Sequence, residues 1–254
     1  MRRAGWTGYD SFVMKRTERH HLKENEIEHL ARQAREMLGM RKREATVAIA
    51  AIVIVGAAVL GYVAWKDRVN SRAEAMLAGA LAAIGTRVGP PVAPGTPGAG
   101  PSFPTERARS EAALAKFKAA ADAYPDTDAG ILARYRQAAT EMTLGNSAQA
   151  VTTYQQVIDR AGDRIYGQMA RLGLAEAQAR SGKYDEAIKT FKELAQRKDG
   201  PLPVDGILMQ LGLAYRDSGK TADAQQTFSR IVEEYPDSAF SMGAQKELDN
   251  LKKT

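Results

Sequence analysis

Apolar and polar residues change their arrangement several times along the chain, and each change marks an element. Residues 1–13 have no periodicity, whereas KENEIEHLARQAREML spaces Ile27, Leu30, Ala31, Ala34, Met37 and Leu38 on one helical face. That spacing predicts an amphipathic helix within an N-terminal arm over 1–44, with Met14 at the junction as an alternative start of translation. Residues 45–65, ATVAIAAIVIVGAAVLGYVAW, run for 21 positions without a charge. A helix of that length is roughly 31 Å long, close to the roughly 30 Å hydrocarbon core of a bilayer, so the segment predicts one transmembrane helix. Beyond it Val69, Ala73, Met76, Leu77, Ala80, Leu81 and Ile84 recur at intervals of three and four, predicting an amphipathic helix over 66–84. Five glycines and six prolines within 85–104 then exclude a helix or an inner strand and predict an extended, mobile linker.

The rest of the chain repeats itself. Ala113, Ala150, Ala187 and Ala224 stand 37 residues apart, and four residues after each comes Phe117, Tyr154, Phe191 or Phe228. Three further on stand Ala120, Val157, Leu194 and Ile231, and Gly145, Gly182 and Gly219 precede the last three alanines by five. The physical reading is a helical hairpin. Glycine allows the tight turn, alanine lets the two helices approach, and the aromatic fills the space where their axes diverge. Pro125 and Pro236 stop the second helices of the first and last units. A lone hairpin cannot bury its apolar side, so the units must stack. The prediction is an all-α chain: a single transmembrane helix followed by an α-solenoid of hairpins over 105–237 and a capping helix over 238–254. In the cap, Asp237 or Ser238 is expected at the N-terminus, and Phe240, Ala244, Leu248 and Leu251 on the packed face. The Val69–Ile84 helix is expected to supply the first helix of the first unit.

These residues resemble the tetratricopeptide repeat (TPR). The closest match is LMQLGLAYRDSGKTADAQQTFSRIVEEYP, with Leu211, Gly212, Tyr215, Gly219, Ala224, Phe228 and Pro236 at the family's positions. The period exceeds the family's usual one, and the extra residues are expected between hairpins, as in QRKDGPLPVD. One membrane span followed by such repeats also resembles the membrane-anchored family of ancillary Sec translocon subunits of bacterial inner membranes. That resemblance implies a periplasmic repeat domain beside the translocon that meets translocon subunits, secretory chains or chaperones. Envelope proteins of the cell-division coordinator and outer-membrane-assembly types are similar at the C-terminus, so a structural tether or assembly scaffold, with possible self-association, is the second implication. In TPR folds the first helix of each pair lines the concave groove, which points to Leu132, Tyr135, Ala139, Met169, Leu172, Met209 and Leu213 as partner-binding residues. This set is mainly apolar and lacks the Lys, Arg and Asn that grip a terminal carboxylate in several TPR proteins. An apolar groove with adaptable methionines suits a varied hydrophobic segment or a partner helix.

Charge changes the picture in two ways. The formal net charge is +6, but residues 105–254 hold 21 basic and 21 acidic side chains, and the excess lies in the first 104 residues. A phosphate binder needs its positive charge gathered on the folded surface, so nucleic acid is not an expected partner. The 15 residues before position 45 contain five Lys/Arg and the 15 after position 65 contain three, which predicts a cytoplasmic N-terminus and an external, periplasmic repeat domain. The apolar run is too long and begins too late for a cleaved signal peptide, and reads as an uncleaved anchor in the lipid bilayer.

Candidate chemistry is sparse. The chain has no cysteine, and its three histidines, His20, His21 and His29, all lie in the arm without the spacing of a closed metal site. No Ser-His-Asp or Cys-His set is available in the repeats and no Walker loop occurs, so neither catalytic, cofactor-binding nor metal-binding residues are assigned. The expectation is a non-enzymatic protein-interaction module.

Overall fold

The computed structural model of the chain describes residues 32–33, 42–90, 95, 100–197 and 200–253. The amphipathic helix expected in the arm and the three histidines lie outside these residues, apart from Arg32 and Gln33, which are helical. The chain divides into two compact units, Met1–Trp65 and Lys66–Thr254. Helix α1, Lys42–Gly85, contributes to both.

In the first unit the apolar stretch of α1 is helical throughout, and its side chains are exposed, among them Ile52, Val53, Ile54 and Leu60. Among the described residues, α1 is the one helix long and apolar enough to cross a membrane, by length and composition. Tyr62 and Trp65 stack obliquely at the end of this stretch, with ring centroids 6.0 Å apart.

The second unit begins with the remainder of α1. A short parallel ladder follows, β1 (Arg87–Val88) with β2 (Ser102–Phe103), and then come eight further helices: α2 (Glu106–Ala123), α3 (Asp128–Thr143), α4 (Ser147–Ala161), α5 (Ile165–Arg180), α6 (Tyr184–Ala195), α7 (Val204–Asp217), α8 (Thr221–Glu234) and α9 (Ser241–Leu251). The ladder corrects the expectation for 85–104. The ends of the Pro/Gly-rich segment pair with one another at Arg87, Val88, Ser102 and Phe103, none of which is proline or glycine.

The 37-residue register is visible in three dimensions. Ala113, Ala150, Ala187 and Ala224 are fully buried, and Phe117, Phe191 and Phe228 are among the largest side chains with essentially no exposure. Burying each such ring contributes about 1.5–3 kcal/mol. Each intra-hairpin turn is built alike. Gly145, Gly182 and Gly219 have φ of 86°, 80° and 77°, a left-handed backbone that side chains disfavour. The next amide reaches back to the preceding helix: Asn146 to Glu141 O at 2.8 Å, Lys183 to Gln178 O at 2.8 Å, and Lys220 to Tyr215 O at 2.9 Å. These are Schellman closures, which satisfy the last helical carbonyls. Ion pairs between hairpins follow the same period, Arg160 with Asp126 and Arg197 with Asp163.

The first unit of the stack receives its missing helix from α1. Leu77, Ala80 and Ala83 form one cluster with Ala113, Phe117, Ala120, Ala121 and Ala133. The buried face is narrower than the spacing predicts: Ala73, Leu77, Ala80 and Ala83 are buried, whereas Met76, Leu81 and Ile84 are exposed, because they flank the stripe that meets α2. The extra residues of the long period lie between hairpins at 196–203 and 235–240. Three residues link α4 to α5, and the length there is taken up inside the helix, 15 residues in α4 against 12 in α6.

The cap also departs from expectation. Helix α9 starts after Phe240, whose backbone is its N-cap and makes no side-chain bond. Ser238 accepts the Phe240 amide at 3.0 Å but turns its hydroxyl to Asp205, 33 residues earlier in the chain. Ala244 and Leu248 form the buried face of α9, and Phe240 is partly exposed.

Candidate functional site

The first helices of the hairpins, α3, α5 and α7, are neighbours in the stack. The repeat places three residues in each of three registers along them: Leu132, Met169 and Gly206; Tyr135, Leu172 and Met209; Ala139, Glu176 and Leu213. All seven residues expected from the sequence are half-buried. Leu172, Met209 and Leu213 pack on one core cluster, Tyr135 on a second and Leu132 on a third, so the face is carried by the core beneath it. In the register of Leu132 and Met169, the third position is glycine, and the Phe240 ring covers it, 3.2 Å from where a Cβ would stand. The Met209 methyl likewise lies 3.5 Å from a Cβ position on Gly243 of α9.

The apolar reading of these helices missed two features, one on this face and one on the opposite side of α3. The first is Glu176, the acidic member of the Ala139–Leu213 register. It lines a cleft of about 340 Å3 with Arg180, Tyr184, Gln210, Leu213 and Arg216. Burial pushes its carboxyl above the ordinary value, and Arg180 opposes that shift from one turn further on. Tyr135 stacks obliquely on Tyr154, with centroids 5.8 Å apart. Both phenols are pushed up, first by burial, with Glu176 adding to the rise in each. The 37-residue spacing from Ala139 and to Leu213 would have found Glu176. The second missed feature is a buried polar strip, Gln137 and Glu141, on the other side of α3.

The face offers half-buried aliphatic, methionine and tyrosine side chains around one desolvated carboxyl. Such a face combines apolar contact area with a few polar anchors. Among the described residues, no group of three or more His, Asp or Glu side chains is placed to hold a metal ion.

Stacked helical hairpins with a half-buried face along their first helices define the class of TPR-like solenoids. A family model described as tetratricopeptide repeat-like domain matches residues 42–253, and the chain belongs to that family. Two crystal structures of nearly identical TPR-like repeats, from a kinesin light chain-type protein of Podosopora anserina, are similar to it, one of them a variant of the other. Each has a TM-score of 0.51 at 14% identity, covering 57% of this chain and 78% of that one, which shows a shared fold. No curated protein matches the chain in sequence. TPR-like repeats are interaction scaffolds as a rule, and the chain carries a protein-interaction fold.

Proposed function

We propose that the protein is a non-enzymatic, membrane-anchored interaction module of the bacterial cell envelope, held by residues 45–65 in the inner membrane with its repeats in the periplasm. Its partners in this reading are translocon subunits, secretory chains or chaperones, gripped along Leu132, Tyr135, Ala139, Met169, Leu172, Met209 and Leu213. The observation that carries the reading is the half-buried apolar register on α3, α5 and α7, in a chain that also contains an exposed apolar helix of membrane-spanning length. The charge bias across that helix supports the orientation. The layout of one span followed by repeats supports a place near the Sec translocon.

Isolation of the full chain from its own membranes in mild detergent, beside a Leu172→Lys variant, tests this. Translocon subunits, secretory chains or chaperones recovered with the wild type and lost with the variant are the expected result. Recovery of copies of itself alone would instead support a structural tether, and partners retained by the variant would remove the binding role from this face.

A further inference from the structure

The grooves between consecutive second helices repeat with the same period as the hairpins, but their floors differ in chemistry. Beneath the groove between α2 and α4, helix α3 supplies Arg134, Gln137 and Glu141. Two repeats on, beneath the groove between α6 and α8, helix α7 supplies Leu208, Leu211 and Tyr215 at the equivalent positions. The last floor is ordinary packing. In the first, Gln137 and Glu141 are 5% and 3% exposed, and a carboxylate taken out of water is costly unless it is paired.

One chain of bonds runs along this floor. Arg134 donates to Asp122 through Nη2 and to Gln137 Oε1 through Nη1, the latter at 2.8 Å. Gln137 Nε2 donates in turn to Glu141 Oε1 at 2.8 Å. Glu141 Oε2 is buried and has no hydrogen-bond partner among the described residues. Asp122 and Glu141 against Arg134 leave the network with one negative charge. Arg160 and Lys118 line the same cleft at its rim, where Arg160 is taken by Asp126 and Lys118 is exposed.

An ionised carboxylate only accepts hydrogen bonds, so the open oxygen needs a donor. The cleft above it has a volume of about 710 Å3, and Gln149, Thr153 and Gln156 line it with further oxygens for the remaining N–H bonds of an ammonium group. The same register one repeat later leaves an acceptor open again, Gln178 Oε1, but there the residue is neutral and its neighbour on the floor is Leu174. We propose that the cleft between α2 and α4 binds an alkylammonium group, carried by a small amine or by a lysine side chain, with Glu141 as its anion. The site is independent of the face on α3, α5 and α7.

Calorimetric titration of the full chain in detergent with 1,4-diaminobutane and with N-acetyl-lysine methylamide tests it. Saturable binding of at least one probe, weakened at least tenfold by Glu141→Gln, is expected, with tetramethylammonium, which has no N–H donor, failing to compete. Tighter binding of the lysine derivative would place the ammonium on a polypeptide, and tighter binding of the diamine would place it on a free amine. If Glu141→Gln does not fold, the exposed rim variant Gln149→Trp decides, by blocking the cleft with the carboxylate intact. No saturable binding of either probe to the wild type, or undiminished binding by the folded variant, overturns the proposal.

Discussion

The Tyr154 ring occupies the space that a side chain on Gly173 would need: a Cβ there would stand 2.4 Å from Cζ and 2.8 Å from the hydroxyl oxygen. Tyr154 belongs to the second helix of one hairpin and Gly173 to the first helix of the next, so the contact sets how closely the two hairpins approach. Gly173→Ala is expected to destabilise the repeats by about 1–3 kcal/mol through overpacking. Tyr154→Phe leaves Cζ in place and should not relieve the clash, whereas in a Tyr154→Ala background the alanine should cost little. Chemical denaturation of the four variants checks this coupling, and additive effects would mean that the two residues do not share the space.

Glu176 makes stability depend on pH in an unusual direction. Its folded-state carboxyl titrates above the ordinary 4.5, so the folded chain binds its proton more tightly than the unfolded chain does. The stability that this group contributes is therefore present below the ordinary value and falls as pH rises through the raised one. Glu176→Gln should raise the melting temperature at neutral pH, and the gain should shrink on acidification below the ordinary value. Thermal melts of both proteins across that range check it, and a variant less stable than the wild type at neutral pH would contradict the assigned cause.

Much of the fold was legible because its strongest signals are local and periodic. The Ala113, Phe117 and Gly145 registers each answer to one steric demand that recurs every 37 residues, and a single chain displays it three or four times. What escaped the sequence depends on partners far apart in the chain. Ser238 was a good helix cap by local rules, but Asp205 takes its hydroxyl. The ends of the linker pair at a sequence separation of 15, across Pro/Gly-rich chain, which composition does not reveal. At the candidate site the apolar residues of α3, α5 and α7 stood out against a polar background. Glu176 and the Gln137–Glu141 strip did not, because a charged side chain on a helix reads as solvated until its burial is known.

The two units divide at Trp65, and the core clusters of the repeats draw on residues from Leu77 onward. A chain beginning at Lys66 is therefore expected to fold, remain soluble without detergent and melt cooperatively. Circular dichroism and size-exclusion chromatography check this. A further deletion to residue 86 removes Leu77, Ala80 and Ala83 from beneath Phe117 and should lower the melting temperature, and an unchanged value would mean that α1 does not complete the first unit.

Orientation is open to a clean test because the chain has no cysteine of its own. Ser110→Cys places one thiol in α2. Labelling of that thiol by a membrane-impermeant maleimide in cells whose outer membrane alone has been opened is the expected result. Labelling only after the inner membrane is broken would reverse the orientation.

The role proposed for the face on α3, α5 and α7 is to hold a polypeptide partner. Photo-crosslinking in intact cells from Tyr135, Met169 and Met209, with mass spectrometry of the trapped species, tests it most directly. Translocon components, secretory chains or periplasmic chaperones captured from these positions, and not from exposed Lys116 of α2, are the predicted outcome. Crosslinks to cytoplasmic proteins alone, or none from the three positions, would contradict it.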